Sequence, residues 1–220
     1  MSTYLITGAN RGIGLEFCRQ LHQDHQVIAV CRHSSEALDE LGVQVETSID
    51  VGSDQAVAEL KQRLQATPID VLINNAGVWS RNTLNDLEFE TIKQQFNVNS
   101  LGALRVTSAL LPNLSAGSKV AIITSRMGSI GDNTSGSSYG YRMSKVALSM
   151  AGKSLSHDLK PRGIAVAILH PGLVQTRMTN FTQSGITTQQ SVTGLLQRID
   201  ELNLENTGNF WHSNGELLPW

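Results

Sequence analysis

Residues 4–14 read YLITGANRGIG, an apolar run that passes directly into a loop with glycines at 8, 12 and 14. Glycine tolerates positive φ and lets backbone N–H groups crowd around a ligand. The loop opens onto 12–24, where the apolar spacing is helical. A strand, a glycine loop and a helix N-terminus in that order make a cradle for a phosphate or pyrophosphate. A tight strand-to-helix turn would use the same glycines, but the place of the loop behind the first strand favours the cradle. The spacing is G-x-x-x-G-x-G, not the G-x-G-x-x-G of the long dinucleotide dehydrogenases, and the Gly-Lys-Ser/Thr of a nucleotide triphosphatase is missing.

Outward from this loop, further short runs follow at 27–30 (VIAV), 43–49 (VQVETSI), 71–74 (VLIN), 120–124 (VAIIT) and 164–169 (IAVAIL). They are β-branched and nearly continuous, as strands covered on both faces of a parallel sheet must be. Helical patterns at 34–41, 53–66, 88–111 and 139–160 alternate with them. A last helix over 188–202 opens with Thr187-x-x-Gln190, a capping-box pattern, and NFWH at 209–212 supplies an edge strand. The alternation predicts one α/β domain spanning 1–220. It is a doubly wound, Rossmann-type parallel sheet of about seven strands with helices on both faces.

Composition narrows the function classes. The chain has 220 residues, 40% hydrophobic and 16% charged, with a formal net charge of −2. That balance predicts neither a nucleic acid nor an anionic membrane as partner. No apolar stretch approaches the ~20 residues of a membrane span, and the N-terminus has no signal-peptide pattern. Two cysteines, neither in a C-x-x-C, predict a reduced cytoplasmic protein. Cys18, His22 and His25 fall at helical spacing. Cys18, however, continues the apolar stripe of Gly14, Phe17 and Leu21, so packing is expected there and no metal site.

Two features carry chemistry. The second strand ends at Cys31–Arg32, and no acid follows before Glu36, whereas a ribose 2′-hydroxyl is usually bound by one there. Arg11 in the loop and Arg32 at the strand end suit a 2′-phosphate instead, so the expected cofactor is NADP. The segment YRMSK then puts Tyr141 and Lys145 four residues apart, on one helix face. A phenol near a fixed cation is tuned below its usual pKa of ~10, toward donating a proton to a carbonyl or taking one from an alcohol. Ser125 closes the apolar run that precedes this helix.

These motifs resemble the short-chain dehydrogenase/reductase family, and within it the C-factor-type and carbonyl-reductase-like branch. TGANRGIG (7–14) resembles the family's cofactor loop and NNAG (74–77) its motif after the fourth strand. NVNSLG (97–102) carries the helix asparagine, Asn99, and ITSRMG (123–128) the serine. YRMSK matches the Tyr/Lys pair, and PGLVQT (171–176) the segment after the sixth strand. The likeness implies metal-free hydride transfer between nicotinamide and a small-molecule carbonyl or alcohol. It makes Tyr141 the general acid or base and gives Lys145 the task of lowering the tyrosine's pKa and holding the ribose. Ser125 would bond the substrate oxygen, and Asn99 would hold a relay water. It places the cofactor on Gly8, Asn10, Arg11, Gly12, Ile13 and Gly14, on Arg32, and on Asp50 and Val51. Asn75, Ala76 and Gly77 follow, then Pro171, Gly172, Val174 and Thr176, with Tyr141 and Lys145 at the nicotinamide end. Asp50 also reads as a turn residue before the next helix. A homodimer or homotetramer paired through 88–111 and 139–160 is implied as well.

The chain departs from the family at one place. The gap from Ser125 to Tyr141 is longer than usual, so GDNTSGSS (131–138) reads as an insertion, and Ser129 competes with Ser125 for the serine role. Trp79, Met127, Tyr139, Leu173, Met178 and Phe181 are expected as mostly apolar substrate walls. The short stretch between Thr176 and the last helix predicts a small lid and an open cleft. A non-catalytic NADP-binding sensor or signalling protein on the same fold is the alternative, and an intact Ser125, Tyr141, Lys145 and Asn99 speak against it.

Overall fold

The computed structural model describes residues 1–220. Seven strands form one sheet: β1 (Thr3–Thr7), β2 (Gln26–Val30), β3 (Gln44–Glu46), β4 (Val71–Asn74), β5 (Lys119–Ile123), β6 (Ala165–His170) and β7 (Phe210–His212). All neighbouring pairs are parallel, in the order β3-β2-β1-β4-β5-β6-β7. The chain steps outward from β1 to β2 and β3, then returns to the other side of β1 at β4. The crossovers leaving β1 and β4 therefore part in opposite directions, and a crevice opens at their C-terminal ends.

Alternation within each strand builds two cores. Tyr4, Ile6, Val27, Ala29, Val71 and Ile73 face α1 (Gly12–Leu21), the short α2 (Glu36–Asp39) and α7 (Thr188–Asp200), where Phe17, Cys18, Leu21, Leu38, Leu195 and Ile199 meet them. Leu5, Ile28, Val30, Leu72, Val120 and Ile122 face α3 (Asp54–Arg63), α5 (Gly102–Ala109) and α6 (Tyr139–Leu159), against Val57, Leu60, Val106, Leu110 and Leu148. A sheet covered on both faces explains why its strands read as unbroken apolar runs. The capping box of α7 forms as expected: Thr187 Oγ1 accepts from Gln190 N at 3.1 Å, and Gln190 Oε1 accepts from Thr187 N at 3.0 Å.

Two expected elements differ. The strand read over 43–49 is only Gln44–Glu46, because Ser48 adopts a left-handed φ of 65° and turns the chain toward β2. The helix read over 88–111 is interrupted. Its first part, α4 (Phe89–Phe96), passes into a π turn at Asn97–Leu101 before α5 begins.

Candidate active site

The cleft at the switch point has a volume of about 1140 Å³. Its floor at the first strand is made by main chain. Gly8, at φ 69°, donates its N–H to Val30 O at 2.8 Å, and a Cβ there would come within 2.9 Å of Ala76 Cα. Thr7 Oγ1 accepts from the N–H groups of both Asn75 and Ala76 at 3.0 Å, and Asn75 Nδ2 donates to Thr7 O at 2.9 Å. The NNAG segment is thus the fastener that holds the end of β4 to the glycine loop. Asn10 pins the loop to the second crossover by donating to His33 O at 2.8 Å. The first turn of α1 holds no acid, so its free N–H groups face the cleft with no competing carboxylate.

Most of the expected cofactor residues meet here. Gly8, Asn10, Arg11, Gly12, Ile13, Arg32, Asp50, Val51, Asn75, Ala76, Gly77, Pro171, Thr176, Tyr141 and Lys145 all line the cleft. Gly14, Gly172 and Val174 do not. Gly14 presses its backbone on Gly8 O and Asn75, a spacing role between helix and loop. Gly172, at φ 88°, turns the chain beneath Ile186, and Val174 is buried in a bridge to Ile186. Asp50 accepts from Gly52 N at 2.8 Å, the turn role its position allows, and stands 4.0 Å from the Arg32 guanidinium.

At the other end, Tyr141 and Lys145 stand one turn apart on α6, both buried, with Nζ 5.7 Å from the tyrosine ring centre. Lys145 Nζ donates to Ile123 O at 2.9 Å. Ser125, two residues past the end of β5, caps a 3₁₀ turn, its Oγ accepting from Met127 N at 3.1 Å. Its hydroxyl lies close enough to Tyr141 to oppose the rise of the phenol's pKa. Ser129 instead accepts from Asp132 N at 3.1 Å and closes a turn of the following loop. Gly128 lets that 3₁₀ turn lie on α6, where a Cβ would sit 2.7 Å from the Lys145 carbonyl carbon. Asn99 is fully buried inside the π turn. It donates to Val78 O and Ser144 Oγ, each at 2.9 Å, and accepts from Val78 N at 2.8 Å. A π turn moves main-chain pairing out by one residue, which gives this asparagine its place in mid-helix.

One expectation is corrected. Lys145 was to hold the tyrosine's pKa down, but burial pushes Tyr141 up to about 12 and Lys145 down to about 8. Both charged forms lose hydration in the same enclosed corner, and for the phenol the hydrogen bond from Ser125 offsets only part of that loss.

Residues 2–186 match the short chain dehydrogenase family across the core of the fold. The chain belongs to that family. It is 42% identical, over the full length of both, to the 1-hydroxy-2-glutathionyl-2-methyl-3-butene dehydrogenase of Rhodococcus sp. (strain AD45). It is 48% identical to the C-signal of Myxococcus xanthus over 158 residues, 70% of this chain and 93% of that one. The NADPH-bound carbonyl reductase from chicken fatty liver superposes with a TM-score of 0.89 at 29% identity, covering 100% of this chain and 99% of that one.

Trp79, Met178 and Phe181 line the cleft as expected, whereas Met127, Tyr139 and Leu173 lie outside its lining. Sequence reasoning missed Arg19, His33, Gln175 and Arg177, which also line it. Arg19 is two turns along α1 from Gly12, and Arg177 directly follows the PGLVQT segment, so spacing from known motifs was the available signal. Cys18 lies in the core, where burial pushes its thiol up to about 12, and His22 turns to the carbonyl of Arg19 at 2.9 Å. No helix is long and apolar enough to cross a membrane.

Proposed function

We propose that the protein is an NADP(H)-dependent oxidoreductase that interconverts a carbonyl compound and its alcohol, with Tyr141 as the general acid or base. The observation that carries this is a single cleft lined by Arg11, Arg19, Arg32 and Arg177 with one carboxylate, Asp50, and by Tyr141 and Lys145 as well. A polyanionic dinucleotide fits that lining, and the first turn of α1 beside it carries no acid to repel the phosphates. Bound there, the cofactor would supply or accept the hydride.

The chain's own residues do the rest. Arg11 and Arg32 would hold the 2′-phosphate, and the N-terminus of α1 the pyrophosphate. Ser125 would orient the substrate oxygen and stabilise the charge that develops on it. Tyr141, neutral at its raised pKa, is a proton donor throughout the physiological range. Lys145, with a pKa of about 8, keeps most of its charge at neutral pH beside that phenol. Asn99 holds Val78 and Ser144 in register with both. The outward faces of α4–α5 and α6 expose Leu101, Leu104, Met143 and Met150, which suits a second copy of the chain packing on them.

The test is to mix the protein with NADPH and a panel of aromatic and medium-chain aldehydes and ketones, following loss of reduced-nicotinamide absorbance. The reverse direction is tried with NADP and a primary alcohol bearing a glutathione thioether, the substrate class named for the Rhodococcus relative. Turnover on several members, abolished in Tyr141→Phe, is expected. NADPH binding with no turnover in either direction would favour a sensor instead.

A further inference from the structure

Each of the two residues assigned to the substrate oxygen is followed directly by an arginine: Ser125 by Arg126, Tyr141 by Arg142. Both guanidinium groups reach into the connection between them, residues 129–138. Arg126 pairs with Asp132 at 3.1 Å and with Glu216 at 3.0 Å. On the same side Gly131 N donates to Trp220 O at 2.8 Å, and the Trp220 ring stacks on Phe210 of β7 at 5.5 Å. From the other side Arg142 donates to Ser135 Oγ (2.9 Å), Gly136 O (3.1 Å), Ser137 O (3.2 Å) and Met127 O (3.4 Å).

The held segment is strained. Gly136, Ser137 and Ser138 take φ values of 63°, 56° and 50°, and two of these three left-handed residues carry a Cβ. Such a run persists only where its surroundings over-determine it. Arg142 supplies that constraint by gathering the Gly136 and Ser137 carbonyls. Ser138 N adds a bond to Asn82 O at 2.7 Å immediately before α6 begins. None of residues 126–138 lines the cleft, so the clamp acts on the chemistry only through the two groups it joins.

Resting on the oxidoreductase reading above, we propose that Arg126 and Arg142 are positioning residues. They set the placement of the Ser125 hydroxyl against the Tyr141 phenol by pinning the strained connection between them. Misplacement of a reacting group by about 1 Å costs on the order of 100-fold in rate. Arg142→Ala should therefore lower kcat on 4-nitrobenzaldehyde by about 10- to 100-fold, with NADPH affinity and far-UV circular dichroism unchanged. Arg142→Lys should rescue little, because one ammonium cannot bond four acceptors set by a planar fork.

The decisive variant adds Ser137→Gly and Ser138→Gly to Arg142→Ala. Glycine removes the left-handed penalty, so the native path of the segment is favoured again and kcat should recover by about 5-fold. Recovery is the signature of positioning, since uncharged glycines at 137 and 138 could not replace an arginine that touched substrate. The idea is overturned by an unaltered kcat in Arg142→Ala, by a matching loss of NADPH affinity, or by no recovery in the glycine variant. Tyr141→Phe is run alongside. If it keeps its turnover, the catalytic reading itself has failed; if it is inactive while Arg142→Ala is normal, only the clamp has.

Discussion

At the β1 end of the cleft main-chain atoms do the shaping: Gly8 and Gly12 turn the loop, Thr7 and Asn75 stitch it to β4, and the N-terminus of α1 points into the space. At the α6 end buried side chains do it: Tyr141, Lys145, Ser125 and Asn99 are each desolvated and each held by a specific partner or neighbour. A main-chain cradle tolerates any ligand with the right charge and shape. A desolvated side-chain cluster sits in a costly state that only its chemistry justifies. The two ends should therefore respond oppositely to substitution, the first through binding and the second through turnover and stability.

Lys145→Met should show the largest contrast. Turnover is expected to be lost, while the protein without cofactor becomes more stable. The depression of the Lys145 pKa from 10.5 to about 8 corresponds to about 3 kcal/mol of unfavourable burial, less what the Ile123 bond returns. The sign follows from proton binding. Below pH 8 the lysine is charged in both states and the full cost is present. Between pH 8 and 10.5 the native lysine is neutral while the unfolded one still holds its proton, so the cost fades. Denaturation of variant and parent at pH 6.5 and pH 10 should thus show a stability gap that narrows with rising pH. A parent protein more stable than the variant at pH 6.5 would contradict this.

Ser125→Ala comes next. Loss of one donor to a developing oxyanion costs about 10²–10³ in kcat. Ser129→Ala should leave kcat nearly untouched, because that hydroxyl only closes the turn at Asp132. Steady-state kinetics on one aldehyde separates the two, and a reversed order would move the role to Ser129.

At the other end the effect is on binding. Charged hydrogen bonds are worth about 1.5–3 kcal/mol, so Arg32→Asp should cut the NADPH-over-NADH preference by roughly 10- to 100-fold. Arg32 is exposed and shares its charge with Asp50 at 4.0 Å, so raised salt should shrink the preference. Paired fluorescence titrations give the ratio. An unchanged ratio would mean that this corner does not read the 2′-phosphate.

The smallest predicted change lies between the two ends. Gly128→Ala puts a methyl against the α6 backbone and should cost about 1–3 kcal/mol, read by urea unfolding. No loss would mean the 3₁₀ turn can lift off α6 freely.

How far the sequence could be read follows the same division. The capping box at Thr187 was legible because it depends on contacts within a few residues, and the strands because burial on both faces leaves an unbroken apolar run in the sequence. The early end of β3 at Glu46 was not, since the chain bends at Ser48 so that Ser48 N donates to Arg32 O and Ile49 N to Cys31 O, just past the end of β2. The π turn around Asn99 was visible only as a misplaced polar residue. The bonds that the asparagine makes there, to Val78 and Ser144, lie outside its own helix. The direction of the Tyr141 shift was misread for a related reason: helical spacing reports that a cation is near, but not that both groups have lost their water.

Tyr141→Phe, assayed for NADPH binding and for carbonyl reduction in the same preparation, tests the separation of the two ends most directly. The account predicts parental NADPH affinity with turnover reduced by about 10²–10⁴-fold. Near-normal carbonyl reduction in that variant would contradict it.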